Sequence, residues 1–453
     1  MLKGRYCLPG SSAPASAKGA GSAAIAIGNG PAGLTLTFEW KITGGTYVEM
    51  ADQDTLTPAN LSGKQLILAI TPSSAIDLDT VATNRPNLLA ENGDNTGTLT
   101  ANTQNEVPFD MAVNQLAGIV VITLTIDGTD YTFTFHCFQF AGTLRAVNTG
   151  EEATTGITVN GVDIGDAAAG HASLSAAHTA ASDDDVLVPT EAFNDSTGFA
   201  MTKEVVVDVD DSVRGSKTRA GLTTGYYLSA QNTLQSANII IRNLNFSAGG
   251  GAGTSLLLFD LAAGDGATYL LENLGFYKVS SFQAFATLPT SGHTIAGTVR
   301  NCIAYVDTGA SGFVLNGDTS TLTLQNCTTH GIDAQKGFWN NSTGGTMNLS
   351  NCVSLGTFAS SQDYLTNGGT FNGGDNNVGI SGGNVAAASA TTSATTTAGA
   401  YFTSTTASAE DAHCVSAAVN DDFPGVDLSA SFDTDIDGDI RTAWYAGADF
   451  VAA

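Results

Sequence analysis

Three Asn-Cys pairs stand at a fixed step of 25 residues: Asn301-Cys302, Asn326-Cys327 and Asn351-Cys352. Gly312-Phe313 and Gly337-Phe338 keep the same step, as do Asn316 and Asn341. A fixed period of ~20–50 residues marks a solenoid, whose units bury their apolar faces against one another. These units are rich in Thr, Val, Leu and Asn and are broken by Gly, which favours strands and turns over helix. A repeat of this length accommodates three short strands, so the chain is expected to wind into a parallel β-helix.

The register extends upstream. Asn243 and Asn273 take the slot of Asn301, at steps of 30 and 28 residues. A second column runs Phe259, Phe285, Phe313, Phe338 and Tyr364. Like residues in successive coils lie ~4.8 Å apart. At that spacing Asn side chains bond to one another as a ladder and aromatic rings stack in the core. Cys302, Cys327 and Cys352 are expected to stack inward as small buried thiols. A straight column offers a metal poor tetrahedral geometry, which argues against zinc there.

Composition narrows the class. The 52 glycines and the 13% of charged residues fit repeated tight turns and a Thr/Ser/Asn surface better than a helical protein. A net charge of −27 argues against nucleic-acid or anionic-membrane partners, which need basic surface. No apolar run reaches the ~18 residues of a membrane helix. The opening MLKGRYCLPGSSAPASAKGAG lacks the apolar stretch of a secretory signal, so assembly in a cytoplasm, or export without a cleaved signal, is expected. The six cysteines do not form a secreted-type disulfide framework.

In chain order, residues 1–32 are Gly, Ala, Ser and Pro with few bulky side chains. Such a segment cannot offset its ordering entropy alone, and it is expected to be an extended arm docking on a neighbouring subunit. Residues 33–145 read as a small β-sandwich. Leu34, Leu36, Phe38 and Trp40 alternate with polar residues; Val120, Ile122, Leu124 and Ile126 face one way; Asp127-Gly128 turns; Tyr131, Phe133, Phe135 and Cys137 return. His136 falls on the opposite, outer face. Residues 146–172 are expected to link this module to the β-helix. Leu174, Ala177 and Ala181 then lie at helical spacing behind Ser173 as N-cap.

That helix is followed by an Asp-rich turn (Asp183-Asp184-Asp185), strand VLVP (186–189) and strand EVVVDV (204–209). This order resembles the opening of the pectin-lyase-like right-handed parallel β-helix families, in which a short amphipathic helix closes the first coil. Covering an exposed sheet edge is also what physics requires there. The tail resembles the closing segment of β-helix repeat proteins, with Asp435-Ile436-Asp437-Gly438-Asp439-Ile440-Arg441 followed by Tyr445-Ala446-Gly447-Ala448-Asp449. Tyr445 and Phe450 depart from the second motif. Together the resemblance covers roughly residues 170–450. It implies an all-β fold, with a sandwich-like module ahead of a right-handed parallel β-helix over 173–383. About eight coils, ~40 Å long, are expected. Residues 384–453 should form an extended segment and a closing cap.

Fold alone does not give activity. Asp433, Asp435, Asp437 and Asp439 begin like a calcium loop, but position twelve is Trp444 rather than a bidentate Glu. The competing reading is a turn whose carboxylates cap backbone N–H groups. Asp183–Asp185 and the group Asp208, Asp210 and Asp211 are acidic clusters. Glycoside hydrolysis would need one such pair at ~5 Å or ~6.5–9.5 Å. Lyase chemistry would need a base among Arg300, Lys278 and Lys336, none set in a family catalytic motif.

Three classes follow: a bacteriophage virion structural protein (tailspike, fibre or capsid decoration), a polysaccharide-degrading hydrolase or lyase, and a bacterial surface adhesin. The first is favoured. It implies a homotrimer, attachment to other virion proteins through residues 1–32, and binding of cell-surface polysaccharide. It implies residence in the virion after assembly in the host cytoplasm, the alternative being extracellular; no cofactor is expected, with calcium at Asp433, Asp435, Asp437 and Asp439 as the alternative.

Overall fold

The computed structural model describes residues 25–26, 34–112, 115–236, 238–248, 255–259, 267–278, 283–287, 294–316, 319–334, 336–358, 363–373, 376–379, 390–392, 398–406, 409–416, 425–429, 431–437 and 440–449. Of the arm expected over 1–32, only Ile25–Ala26 falls among them, as a short strand antiparallel to Thr35 and Leu36. The chain divides into two compact units, Met1–Gln139 and Phe140–Ala453.

The first unit holds two sheets around one core. One runs in the order 25–26, 35–42, 65–72, 105–111, 89–91, with 48–50 beside 35–42. The other runs 55–56, 129–138, 117–126, 76–83, 97–99. Period-two patterning decides which side chains go in. Leu36, Phe38, Leu66, Leu68 and Phe109 meet Val120, Ile122, Leu124, Phe133 and Phe135, all fully buried. The hairpin closes at Asp127-Gly128 with φ of 48° and 70°, as a two-residue turn between right-twisted strands requires. His136 is half-buried on the outer face.

The second unit is a parallel β-helix of three sheets. Sheet 1 has ten strands, sheet 2 nine and sheet 3 seven. Eight strands of sheet 1 follow the closing helix: 186–189, 206–207, 239–242, 267–272, 295–300, 321–325, 346–350 and 370–373. Two more precede it. Leu144–Val147 pairs in parallel with Val186–Pro189, and Gly170–His171 pairs with Leu144–Val147. Residues 146–172 are therefore not a plain linker. Besides those strands they form the hairpin Thr154–Val159/Val162–Ala167. The Gly/Ala-rich composition of 146–172 hid it, although Asn160-Gly161, with φ of 51° and 77°, is the two-residue turn such a hairpin favours.

The helix Leu174–Ala180 is capped by the Ser173 hydroxyl, which accepts from the Ala176 amide at 3.1 Å. Buried Asp195 accepts from the Leu174 amide and the Tyr226 hydroxyl, both at 2.8 Å. Leu174 and Ala177 are buried against the first coils. At the far end Ala390–Thr392 adds a ninth strand to sheet 2 and pairs with the edge of the last coil.

Inside the coils, Phe285, Phe313, Phe338 and Tyr364 lie in register on sheet 3. Phe313 and Phe338 stack at 5.5 Å and 13°, Phe338 and Tyr364 at 5.2 Å and 10°. Phe259 is not in this column. The register sets Leu257 beside Phe285 and Phe259 beside Thr287. The reason is coil length. The coil is 28 residues long in both columns there, from Leu257 to Phe285 and from Asn273 to Asn301, whereas Phe259 to Phe285 is 26. A second aromatic stack, Phe246 on Phe276 at 5.0 Å and 12°, sits on sheet 2. The repeated Gly before Phe also has a steric cause. A Cβ at Gly312 would lie 2.5 Å from the Gly337 carbonyl oxygen, and one at Gly337 would lie 1.9 Å from Ser354 Oγ.

Candidate functional site: a sealed flank and an open face

Sheets 1 and 2 are joined in the central coils by two-residue turns. The first turn residue is Asn243, Asn273, Asn301, Asn326 or Asn351, each with φ between 50° and 58°. Left-handed backbone is costly for L-residues other than Gly, and Asn tolerates it best. The column thus has a backbone cause as well as a side-chain one. Asn376, with φ of 77°, continues it one coil further. The second turn residue points inward: Cys302, Cys327 and Cys352 are fully buried free thiols. Burial, and contact with its two neighbours, push the Cys327 thiol well above the ordinary range.

The amides form direct rungs at two places. Asn273 Nδ2 donates to Asn243 Oδ1, and Asn351 Nδ2 to Asn326 Oδ1, both at 3.2 Å. Between them the ladder is completed by the C-terminal segment, which runs back along the flank of the coils. Asn301 Nδ2 donates to the Thr434 carbonyl, Asn326 Nδ2 to the Tyr445 and Gly447 carbonyls at 3.0 Å, and Asn351 Nδ2 to the Val426 carbonyl at 2.9 Å. Arg441 is buried at the centre of this strap. Its guanidinium donates to the Ala448 carbonyl at 2.6 Å, Thr434 at 3.2 Å, Gly447 at 3.3 Å and Asn301 Oδ1 at 3.4 Å. The tail is a lateral strap rather than a cap on the end. Tyr401, Phe402, Ile436, Ala446 and Ala448 pack on Ile303, Tyr305, Val353 and Leu355 of sheet 2.

Charged groups concentrate under the strap. Arg219 pairs with Glu410, lies 3.6 Å from Asp307 and stacks on the Tyr277 ring at 4.2 Å. Glu410 is buried, and its Oε2 has no hydrogen-bond partner among the described residues. His413 bonds Asp411 and lies 3.3 Å from Asp437. Burial alone would lower this imidazole, but Asp411, Asp437 and Asp449 outweigh it and hold His413 protonated up to about 10. On sheet 1, Glu272 sits between Arg242 at 2.9 Å and Arg300 at 3.1 Å. Burial opposes its charge, yet the two guanidiniums bring the carboxyl down to about 2. Arg300 also donates to the Ser431 carbonyl of the strap at 2.7 Å.

Most of the expected catalytic and metal candidates have structural partners among the described residues. Asp183 accepts from the Glu204 amide. Asp185 accepts from Thr143 and Ser182 and pairs with Arg145. Asp210 and Asp211 hold the amides of Thr158, Asn160 and Gly161 in the 154–167 hairpin. Asp208 accepts from Asn243 Nδ2 at 2.7 Å and so ends the ladder. Asp435 accepts from the Asp437 amide at 3.0 Å, the turn-capping role; Asp433 is buried beside them, and Asp439 lies outside the described residues. Among the described residues no group of three or more His, Cys, Asp or Glu side chains is placed to hold a metal ion. Lys278 is buried, and Lys336 lies 4.0 Å over the Trp339 ring.

On the outer face of sheet 1 two register columns are uncharged over its last coils. Thr298, Thr323, Asn348 and Asn372 stand in one register column, and Thr321, Thr346 and Thr370 in the next. All are half-buried or exposed, and Asn348 Nδ2 donates to Thr323 Oγ1 at 3.2 Å. Each column thus repeats one hydroxyl or amide per strand, at ~4.8 Å. No family model matches the chain, and no curated protein matches its sequence. No helix among the described residues is long and apolar enough to cross a membrane.

Proposed function

We propose that this chain is a structural, glycan-binding β-helix protein of a bacteriophage particle, a tailspike, fibre or capsid decoration. The observation that carries the reading is the Thr298–Thr323–Asn348–Asn372 column beside Thr321–Thr346–Thr370. A flat row of neutral donors and acceptors at a constant spacing suits a chain of sugar hydroxyls, which is itself neutral and periodic. The carboxylates and cations that would otherwise suggest chemistry are engaged in capping turns and fixing the strap. Under this reading the protein is a homotrimer, attached to the particle through residues 1–32.

The test is binding of the purified protein to a panel of bacterial surface polysaccharides, with T323A/N348A as the comparison. Binding that falls at least tenfold in the double variant, with unchanged thermal stability, is the expected result. Absence of binding across the panel, together with a monomer by light scattering, would overturn the reading.

A second reading, polysaccharide cleavage, is favoured by one feature. Asp307 and Glu410 flank Arg219 at the edge of the strap, and Asp307 is partly exposed. Release of reducing ends that stops in both D307N and E410Q would establish it in place of the first.

A further inference from the structure

Lys217 is the one lysine among the largest fully buried side chains of the described residues, at 2% exposure. It belongs to a loop, residues 214–226, that folds over sheet 2. Its Nζ donates to the Asn243 carbonyl at 3.1 Å and contacts the side-chain oxygen of Asn245 at 2.5 Å. Asn245 is itself 1% exposed, and its Nδ2 donates to the Gly215 carbonyl at 3.3 Å. The pair is sealed from below by Gly275, where a Cβ would lie 2.2 Å from Leu222, 2.9 Å from Asn245 Oδ1 and 3.2 Å from Lys217 Cδ. Among the described residues no carboxylate forms an ion pair with Lys217; its two bonds are both to neutral oxygens.

A buried ammonium facing only neutral dipoles costs several kcal/mol, and proteins relieve that cost by neutralising it. The charges around it do not supply a counter-ion in contact. Burial and Arg214 pull Lys217 down to about 7, against weaker opposing effects of Cys302, Asp437 and Asp208. A large fraction of Nζ is therefore a free amine, a nucleophile, near neutral pH. The carboxamide is already held against it in a dry site, and such fixed proximity replaces a high concentration of amine.

We propose that Lys217 and Asn245 are the two ends of an isopeptide cross-link that the folded protein forms within itself. The uncharged Nζ attacks Asn245 Cγ. The Nζ–Cγ bond forms, the Cγ–Nδ2 bond breaks, and one Nζ proton passes to the departing nitrogen, which leaves as ammonia. No oxidant, reductant or cofactor enters, and Nζ ends as a neutral secondary amide with one hydrogen. The reaction removes the buried charge and releases it to solvent as ammonium. It ties the 214–226 loop covalently to the coil of strand Asn245–Ala248, next to the strap. Among the described residues no carboxyl touches the reacting atoms to shuttle the proton, so the bond is expected to form slowly after folding. Its rate should rise as pH passes through 7.

The test is the intact mass of the full-length chain, read at intervals after purification, with peptide mapping. Expected is a species lighter by one ammonia, whose fraction grows with time and with pH from 6 to 8. Digestion should yield one branched peptide joining Lys217 to Asn245. K217R, which keeps the charge but cannot form this amide, and N245A should both retain full mass. Because either variant can misfold, the aged wild-type protein decides the matter. An unchanged mass after prolonged incubation at pH 8 would overturn the proposal. So would loss of ammonia mapped to a cyclised Asn elsewhere in the chain.

Discussion

Replacing Asn326 separates the two reasons for the turn column. Asn326 is fully buried, has φ of 50°, donates to the Tyr445 and Gly447 carbonyls and accepts from Asn351. Alanine removes all three bonds. Gly447 O still receives Arg441 at 3.3 Å, and Asn351 Nδ2 still donates to Val426 O at 2.9 Å. The Tyr445 carbonyl loses its Asn326 donor, at about 1–3 kcal/mol, with about 1 kcal/mol for the weakened neighbours. Left-handed backbone adds about 1–2 kcal/mol for Ala. The sum for N326A is about 3–6 kcal/mol. Glycine loses the same bonds but adopts the backbone freely, so N326G should recover about 1 kcal/mol after its own entropy cost. Guanidinium unfolding of wild type, N326A and N326G measures both differences. If N326G is no more stable than N326A, the backbone explanation fails. If both lie within 1 kcal/mol of wild type, the strap is not held by this residue.

Arg441→Met should free the strap by removing four bonds to buried oxygens, read as faster proteolysis within 398–449 while the coils stay protected. Arg441→Lys should not restore it, since one ammonium cannot reach a fork of acceptors. Phe313→Ala opens a cavity between the Phe285 and Phe338 rings, of which Phe338 stacks on it, and should cost about 3–5 kcal/mol in the same unfolding assay. For His413 the folded value of about 10 lies above its ordinary one, so its contribution is fully present below pH ~6.5 and is lost as pH rises through 10. Glu272 has the opposite sign: its contribution is present above pH ~4.5 and is lost as pH falls toward 2. H413N should flatten the alkaline limb of stability against pH, and E272Q the acid limb.

The coils were legible because stacking places like on like, so chemistry recurs at the length of one turn. Where coil length varied, the reading slipped. Phe259 shares the residue type of the column, but only Leu257 keeps the 28-residue step shared by Asn273 and Asn301. The Phe246–Phe276 stack kept the 30-residue step of Asn243 and Asn273 and could have been found the same way. The helix before the first full coil was legible from Ser173 and its apolar spacing. The strap was not. Its bonds join residues more than 70 positions apart, as Asn351 to Val426 or Asn301 to Arg441, and have no period. The Arg219–Glu410 pair, 191 positions apart, left no signal in the sequence for the same reason.

The strap comes from the last 50 or so residues yet completes the bonding of turns laid down from Asn301 onward. Contacts of such long sequence separation are slow to form. While the chain is being synthesised, the amides of Asn301, Asn326 and Asn351 must wait for carbonyls that have not yet emerged. Each coil can stack on the one before it, but the flank stays wet until the strap arrives. Completion of the flank is thus timed by synthesis of residues 426–447, and a chain stopped short of Arg441 would carry finished coils with an unfinished side.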